Sequence, residues 1–224
     1  MLNMDFNVIF KGENISRLLD GLFVTVEIAF ISLIISVVIG TAFGILMTSK
    51  KKRITWICRI YLEIIRIIPV LVWLFIFYFG ISNVLNINLD SIVASIIVFS
   101  LWGIAEMGDL VRGALTSIAK HQEESALALG LKMHDIYINV LVPQAIRRVL
   151  PGTINLATRI IKTTSIVVLI GVVEVVKVGQ QIIELESLNA PTVSFWIYGI
   201  IFIFYFIICY PLSVLSKKIE LKWN

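Results

Sequence analysis

Long apolar runs that carry almost no charged residues are the feature that most constrains this chain. A run of about 20 apolar residues is long enough to cross the hydrocarbon core of a bilayer. Of the 224 residues, 58% are hydrophobic and only 15% are charged. A soluble domain of this size needs more charge on its surface. The runs therefore predict an integral membrane protein and exclude an ordinary soluble or secreted domain.

Five segments of the chain are long and apolar enough to span a membrane. A spanning segment must satisfy its own backbone hydrogen bonds, and no period-two pattern indicates a barrel. We therefore predict an all-α integral membrane protein with five transmembrane helices, forming a single transmembrane domain over residues 1–224. The predicted spans are residues 21–49, 54–81, 89–118, 151–173 and 193–215.

The distribution of basic residues predicts the orientation. Lys and Arg concentrate between segments one and two, between segments three and four, and after segment five. Because these residues accumulate on cytoplasmic loops, we predict an external N-terminus and a cytoplasmic C-terminus in a bacterial inner (plasma) membrane. The same rule accounts for the net charge of +4 without a nucleic-acid partner.

The loop between segments three and four, at about residues 119–148, is the most informative stretch. Its first part, residues 121–129, is rich in Glu, Ala and Leu and favours a helix. Gly130 follows at a position where a helix C-cap takes positive φ. A second short helix is predicted to begin near His134-Asp135 and to be limited by Pro143. On composition alone, an interfacial hairpin that only connects two spans fits equally well.

The spacing of Glu124-Ser125-Ala126, Gly130 and Pro143 in this loop resembles the "EAA" loop of ABC importer permeases. Ser125 departs from that pattern, which has Ala there. Three more blocks resemble polar amino acid permeases: "EIIRIIPVLVWLFIFYFG" from Glu63, "GDLVRGALTSI" from Gly108 and "IKTTSIVVLIGVVEVVKVGQQI" from Ile161. The blocks stand in the expected order, and the resemblance extends over roughly residues 21–215.

This resemblance implies the transmembrane permease subunit of an ATP-driven ABC importer for amino acids. It implies a dimer with a second permease copy or a paralogue, a cytoplasmic ABC ATPase dimer and an extracytoplasmic substrate-binding protein. The residues it assigns to ATPase coupling are Glu123, Glu124, Ser125, Ala126, Gly130 and Pro143.

The chain contains no Gly-x-x-x-x-Gly-Lys-Ser/Thr phosphate loop. We therefore expect no catalytic residues, no metal site and no cofactor in this chain, with ATP and Mg²⁺ bound by the ATPase subunit. A permease for another small polar solute would use a similar loop. A secondary transporter would need an inverted repeat or a pair of broken helices. Five spans without a repeat therefore fit a secondary transporter poorly.

Ionisable residues inside spans are costly and point to function by default. Glu63 and Arg66 are three apart on segment two, so they can share a face and neutralise each other in part. Pro69 then predicts a kink. The alternative to a functional role is that the ion pair and the bend are purely structural. On segment one, Gly40 and Gly44 form a small-xxx-small pair that predicts a helix-packing face.

Segment four carries two cations near mid-membrane. Arg159 and Lys162 share one face, Thr163 follows, and by depth Lys162 matches Glu106 and Arg159 matches Asp109 on segment three. Either these residues form ion pairs that hold the bundle, or some line the path and meet the carboxylate and amine of a substrate. The resembled family has Lys-Asp at 162–163, a neutral residue at 159 and an aromatic residue at 106, so the chain departs from it here.

Overall fold

A computed structural model describes residues 6–188 and 190–223, and this part of the chain is helical and contains no β-strand. The predicted all-α membrane class is thereby confirmed. The helices, labelled in chain order, are α1 Asn14–Met47, α2 Lys52–Ile67, α3 Val70–Leu85, α4 Ser91–Thr116, α5 Lys120–Ala128, α6 Met133–Ile136, α7 Val142–Thr163, α8 Val175–Glu186 and α9 Val193–Trp223.

Several of these helices have the length and composition to cross a bilayer. The stretches that qualify alone are Asn14–Met47, Ser91–Thr116, Met133–Ile170 and Val193–Trp223, and α2 with α3 adds a fifth if that broken pair crosses together. Each predicted span falls on one of these stretches. The number of spans and their orientation stay predictions.

The helix in which the predicted fourth span starts begins well before Pro151. Residues 133–163 are helical throughout, because a π-helical turn, Tyr137–Leu141, joins α6 to α7. A proline ring meets the carbonyl four residues back in a regular α-helix. The wide turn lies directly before Pro143, where it relieves that clash. Pro143 therefore does not limit the helix as the sequence predicted, and Pro151 lies inside α7.

Helices α2 and α3 are separated at Ile68 and Pro69. Ile68 is extended, with φ −81° and ψ 127°, because the ring of a following proline disfavours the helical conformation. The sequence predicts its kink at this position.

The chain forms two compact units. The first comprises the N-terminal part through Ser32, Val70–Phe99 and Arg159–Pro211, and the second comprises Leu33–Pro69, Ser100–Thr158 and the part from Leu212 onward. In the first unit, α1 approaches α8 closely: a Cβ on Gly21 would lie 2.9 Å from Cα of Val175.

Small residues set the packing of α1 against α4 in the second unit. A Cβ on Gly44 would lie 2.5 Å from the carbonyl oxygen of Gly108, and one on Gly40 would lie 2.7 Å from Cβ of Met107. The helix-packing face predicted at Gly40 and Gly44 is therefore confirmed.

Candidate functional site

Four charged side chains of the second unit form a connected cluster between α2 and α4. Arg66 Nε lies 3.1 Å from Glu106 Oε1, and Arg66 Nη1 lies 2.9 Å from Asp109 Oδ2. Arg112, one turn along α4, donates from Nε to Asp109 at 3.0 Å and forms a second bond from Nη2. Two arginines and two carboxylates balance in charge, so the cluster neutralises groups that are costly inside a membrane. We call these four residues the charge cluster.

The pairing of Arg66 differs from the sequence prediction. The described residues contain no ion pair between Glu63 and Arg66. Glu63 is exposed and lines a cleft of about 360 Å³ together with Arg59 and Arg66. The guanidinium of Arg66 instead reaches Glu106 and Asp109, whose side chains are only 14% and 25% exposed. Charge pairs attract more strongly where water is excluded, which favours the carboxylates on α4.

Arg159, Lys162 and Thr163 lie near the C-terminal end of α7, in the first unit. The side chains of both cations are exposed, and the Thr163 hydroxyl donates to the carbonyl of Arg159 at 2.7 Å. Cations on a spanning helix are costly and indicate a functional role by default. Pairing of Lys162 with Glu106 and of Arg159 with Asp109 stays a prediction.

The loop after α4 contains a short helix, α5, that ends in a Schellman motif. Gly130 has φ +80°, its N–H bonds the carbonyl of Leu127 at 2.9 Å, and the N–H of Leu131 bonds the carbonyl of Ala126 at 3.2 Å. Both bonds are the ones that define this cap. No atom lies within 4 Å of a Cβ at Gly130. The positive φ, rather than lack of space, is therefore why glycine fits here.

The residues assigned to ATPase coupling differ in their exposure to solvent. Glu124, Ser125 and Gly130 are exposed, whereas Glu123 and Pro143 are half-buried. Ala126 is only 5% exposed and packs within its own chain. The methyl group of Ala126 therefore holds α5 in place and does not face outward. Outward-facing leucines, which the sequence reasoning did not single out, flank Gly130: Leu127, Leu129 and Leu131.

A buried carboxylate in the first unit was missed by the sequence reasoning. Glu174 is fully buried and caps α8 by accepting hydrogen bonds from the N–H groups of Val176 at 3.0 Å and Lys177 at 2.9 Å. Thr25 of α1 also contributes a bond at 3.4 Å. Burial raises the pKa of the Glu174 carboxyl, and these hydrogen bonds oppose the increase. The sequence signal was an acidic residue directly before an apolar helical run.

Comparison with known proteins identifies the class to which this fold and loop belong. The model of the family "binding-protein-dependent transport system inner membrane component" matches residues 40–219. The chain belongs to this family and is a multi-pass permease component of an ABC transporter in the plasma membrane. Permeases of this family work in a complex with an ATPase and a substrate-binding protein, and the ATPase subunit hydrolyses ATP.

Individual relatives agree with the family match over nearly the whole chain. The probable glutamine ABC transporter permease protein GlnP of Bacillus subtilis is 30% identical over 98% of this chain and 99% of its own length. The glutamine transport system permease protein GlnP of Escherichia coli is 30% identical over 98% and 97%. The arginine transport system permease protein ArtQ of B. subtilis is 28% identical over 99% and 98%.

Solved structures show the same fold. A chain from the crystal structure of an amino acid ABC transporter with histidines superposes with a TM-score of 0.83 and 25% identity, covering 94% of this chain and 95% of that one. A chain of the MetNI methionine ABC transporter superposes with a TM-score of 0.71 over 91% of this chain and 96% of that one, at 18% identity. The second likeness concerns the fold alone.

Proposed function

We propose that this permease forms the path by which an ATP-driven importer moves amino acids into the cell. The observation that carries the proposal is the family match over residues 40–219 together with relatives named for glutamine and arginine transport. We further propose that two permease chains, identical or paralogous, enclose the path. An ATPase dimer binds ATP and Mg²⁺ on the cytoplasmic side, and an extracytoplasmic binding protein delivers the amino acid.

Coupling to the ATPase is assigned to α5 and the corner at Gly130. The exposed side chains of Glu124 and Ser125 lie on α5, and Gly130 turns the chain toward α6. A short helix that presents small and charged side chains can lie in a groove of a partner. Glu124 makes no side-chain ion pair within residues 6–188 and 190–223, so its charge is available for the ATPase.

Charge reversal at Glu124 tests the coupling. Glu124→Lys is expected to reduce substrate-stimulated ATP hydrolysis by at least about tenfold, because loss of a charged hydrogen-bonding partner at an interface costs about 2–5 kcal/mol. The measurement uses the permease reconstituted with its ATPase and binding protein, with co-purified ATPase quantified in parallel. Glu184→Lys, at an acid on α8 that is also exposed, is the matched control and should hydrolyse ATP normally. Equal activity of the two variants would exclude the docking role.

Substrate recognition is assigned to the exposed face of α7, with Arg159 and Lys162, flanked by Thr163. Glu106 and Asp109, which belong to the charge cluster, are further candidates for contact with the substrate. An amino acid carries a carboxylate that must not remain unpaired in a low dielectric. A guanidinium binds a carboxylate through two parallel hydrogen bonds, which an ammonium cannot match. Arg159 is therefore the proposed carboxylate ligand.

Uptake of labelled amino acids into proteoliposomes tests both the substrate class and this residue. Arg159→Ala should raise the apparent half-saturation concentration at least about tenfold, with unchanged insertion and ATPase assembly. Lys222→Ala, which removes an exposed cation near the end of α9, is the control. Transport of quaternary amines or sulfonates instead of amino acids would establish the alternative, a permease for another small polar solute. Uptake that needs no ATPase would indicate a secondary transporter.

A further inference from the structure

A compact cationic and aromatic surface lies at the beginning of α2. Lys50, Lys51, Lys52 and Arg53 are consecutive and all exposed. One turn later, Trp56 is 65% exposed and Ile57 is 64% exposed. Lys52, Arg53, Trp56 and Ile57 line an open cleft of about 450 Å³. We call these last four residues the α2 head surface.

The cations of this surface do not stabilise α2. Positive charge is unfavourable near the N-terminus of a helix, and the first turn of α2 contains no acidic residue to balance it. Neither these two cations nor the preceding Lys50 and Lys51 form an ion pair in the part of the chain that the structure describes. These exposed cations are therefore available to an anion outside this chain.

An exposed apolar face continues from the head surface along α2. Ile57, Ile60, Ile64 and Ile67 recur at helical spacing and are 64%, 37%, 46% and 74% exposed. From Ile57 to Ile67 this face is about 15 Å long, which equals the hydrocarbon depth of one leaflet at about 15 Å. The face that packs inside the chain is a different one, with Cys58, Leu62 and Ile65.

We propose that this surface binds an anionic phospholipid. Its phosphate lies against Lys52 and Arg53, its glycerol region meets Trp56, and an acyl chain follows the isoleucines from Ile57 to Ile67. Basic residues beside a membrane helix attract anionic headgroups, and tryptophan favours the headgroup level. A free phosphate would use only the cations, whereas a phospholipid matches the cationic end and the apolar face together.

A second permease copy fits this face less well. A two-fold interface uses the same surface patch of both copies, and a two-fold axis along the membrane normal would keep the two α2 helices parallel. The cationic ends of two α2 helices would then lie side by side and repel each other. An acidic protein surface would satisfy the cations but would leave the four isoleucines without an apolar partner within the membrane.

Fluorescence quenching by brominated lipids tests the proposal. A chain that keeps Trp56 as its only tryptophan, with the other four changed to Phe, is placed in bilayers that contain either dibrominated phosphatidylglycerol or dibrominated phosphatidylcholine. Phosphatidylglycerol should quench Trp56 more strongly. Each of Lys52→Gln and Arg53→Gln should reduce the relative affinity for phosphatidylglycerol about fivefold. Lys217→Gln with Lys218→Gln, which removes two exposed cations at the far end of α9, should leave the preference unchanged.

A second measurement needs no tryptophan changes. Phosphatidylglycerol that co-purifies with the otherwise unaltered chain is quantified for the wild type, for Lys52→Gln/Arg53→Gln and for the α9 control. Selective loss in the α2 variant supports the site. Equal quenching by the two lipids, or equal loss in both variants, overturns it.

Two further results would assign the surface to a protein and overturn the lipid site. One is a disulfide between copies through Ile60→Cys or Ile64→Cys, in a chain with Cys58 and Cys209 replaced by Ser. The other is loss of the ATPase from Lys52→Gln/Arg53→Gln with the lipid preference intact.

Discussion

At the scale of single residues, Arg66 is the residue on which the charge cluster depends. It contacts both Glu106 and Asp109, whereas Arg112 contacts Asp109. Loss of Arg66 therefore leaves the balance of charge one cation short in a region of low dielectric. Arg59 lies two turns earlier on α2, faces the same cleft and forms no ion pair within the described residues.

We predict that Arg66→Met lowers the free energy of unfolding by about 1–2 kcal/mol, since hydrogen bonds to charged groups contribute that much after allowance for partial exposure. Arg66→Lys should fall between the wild type and Met, because it keeps the charge and loses the forked geometry. The measurement is the thermal unfolding midpoint in detergent, with Arg59→Met as control. Equal midpoints for the two Met variants would show that the cluster adds no stability.

The sequence singled out three members of the charge cluster, Arg66, Glu106 and Asp109, but not the partners of Arg66. Spacing along one helix shows only which residues share a face, so it favoured Glu63. The true partners lie on α4, and only the packing of α2 against α4 brings them within 3.1 Å. Glu174 was missed for a related reason, because its burial depends on the approach of α1 to α8.

At the scale of elements, apolar runs predicted where helices lie better than where they end. Pro143 and Pro151 suggested boundaries within residues 133–163, which are helical throughout. The π-helical turn directly before Pro143 relieves the clash of its ring with the preceding turn. The cap at Gly130 could be predicted, since positive φ is a local property of the backbone. Helix α8 could not be predicted, since the predicted fourth span ended just before it.

The approach of α1 to α4 gives a second prediction at this scale. Gly44→Ala places a methyl group 2.5 Å from a backbone oxygen that cannot move away cheaply. The overpacking should reduce the free energy of unfolding by about 1–3 kcal/mol. Gly113→Ala, also in a packed helix of the second unit but with no atom within 4 Å, should be neutral or stabilising by up to about 1 kcal/mol.

Labelling of Cys58 reports on this unfolding. Cys58 is buried in the second unit, so in a Cys209→Ser background a thiol-reactive dye labels it as the unit opens. The two alanine variants should shift the labelling midpoint in opposite directions or by clearly different amounts. A Gly44→Ala protein as stable as Gly113→Ala would mean that α1 and α4 adjust without cost.

At the scale of the whole molecule, one ion pair bears on the number of crossings. Lys11 precedes α1, Glu186 ends α8, and Lys11 Nζ lies 2.6 Å from Glu186 Oε1. Two groups in contact lie on the same side of a membrane, so an even number of crossings separates them. Between them lie α1, the α2–α3 pair, α4 and α7. The count is even only if α2 and α3 cross together as one span. The single crossing of α9 then places the C-terminus on the side opposite Lys11.

Reporter fusions test this topology and its direction. The side opposite Lys11 carries the basic stretches at residues 50–53, 147–148 and 217–222, so it should be cytoplasmic. A fluorescent protein fused after residue 224 should therefore fluoresce. Alkaline phosphatase inserted at Asn88, in the short connection between α3 and α4, should be active outside, and the same enzyme inserted at Ser49 should be inactive. If the insertions at Asn88 and Ser49 report the same side, then α2 and α3 do not cross together and the five-span topology fails. If every fusion reports the side opposite to the one expected, the five-span topology is supported but the basic residues face outward. That result would contradict the orientation predicted from Lys and Arg.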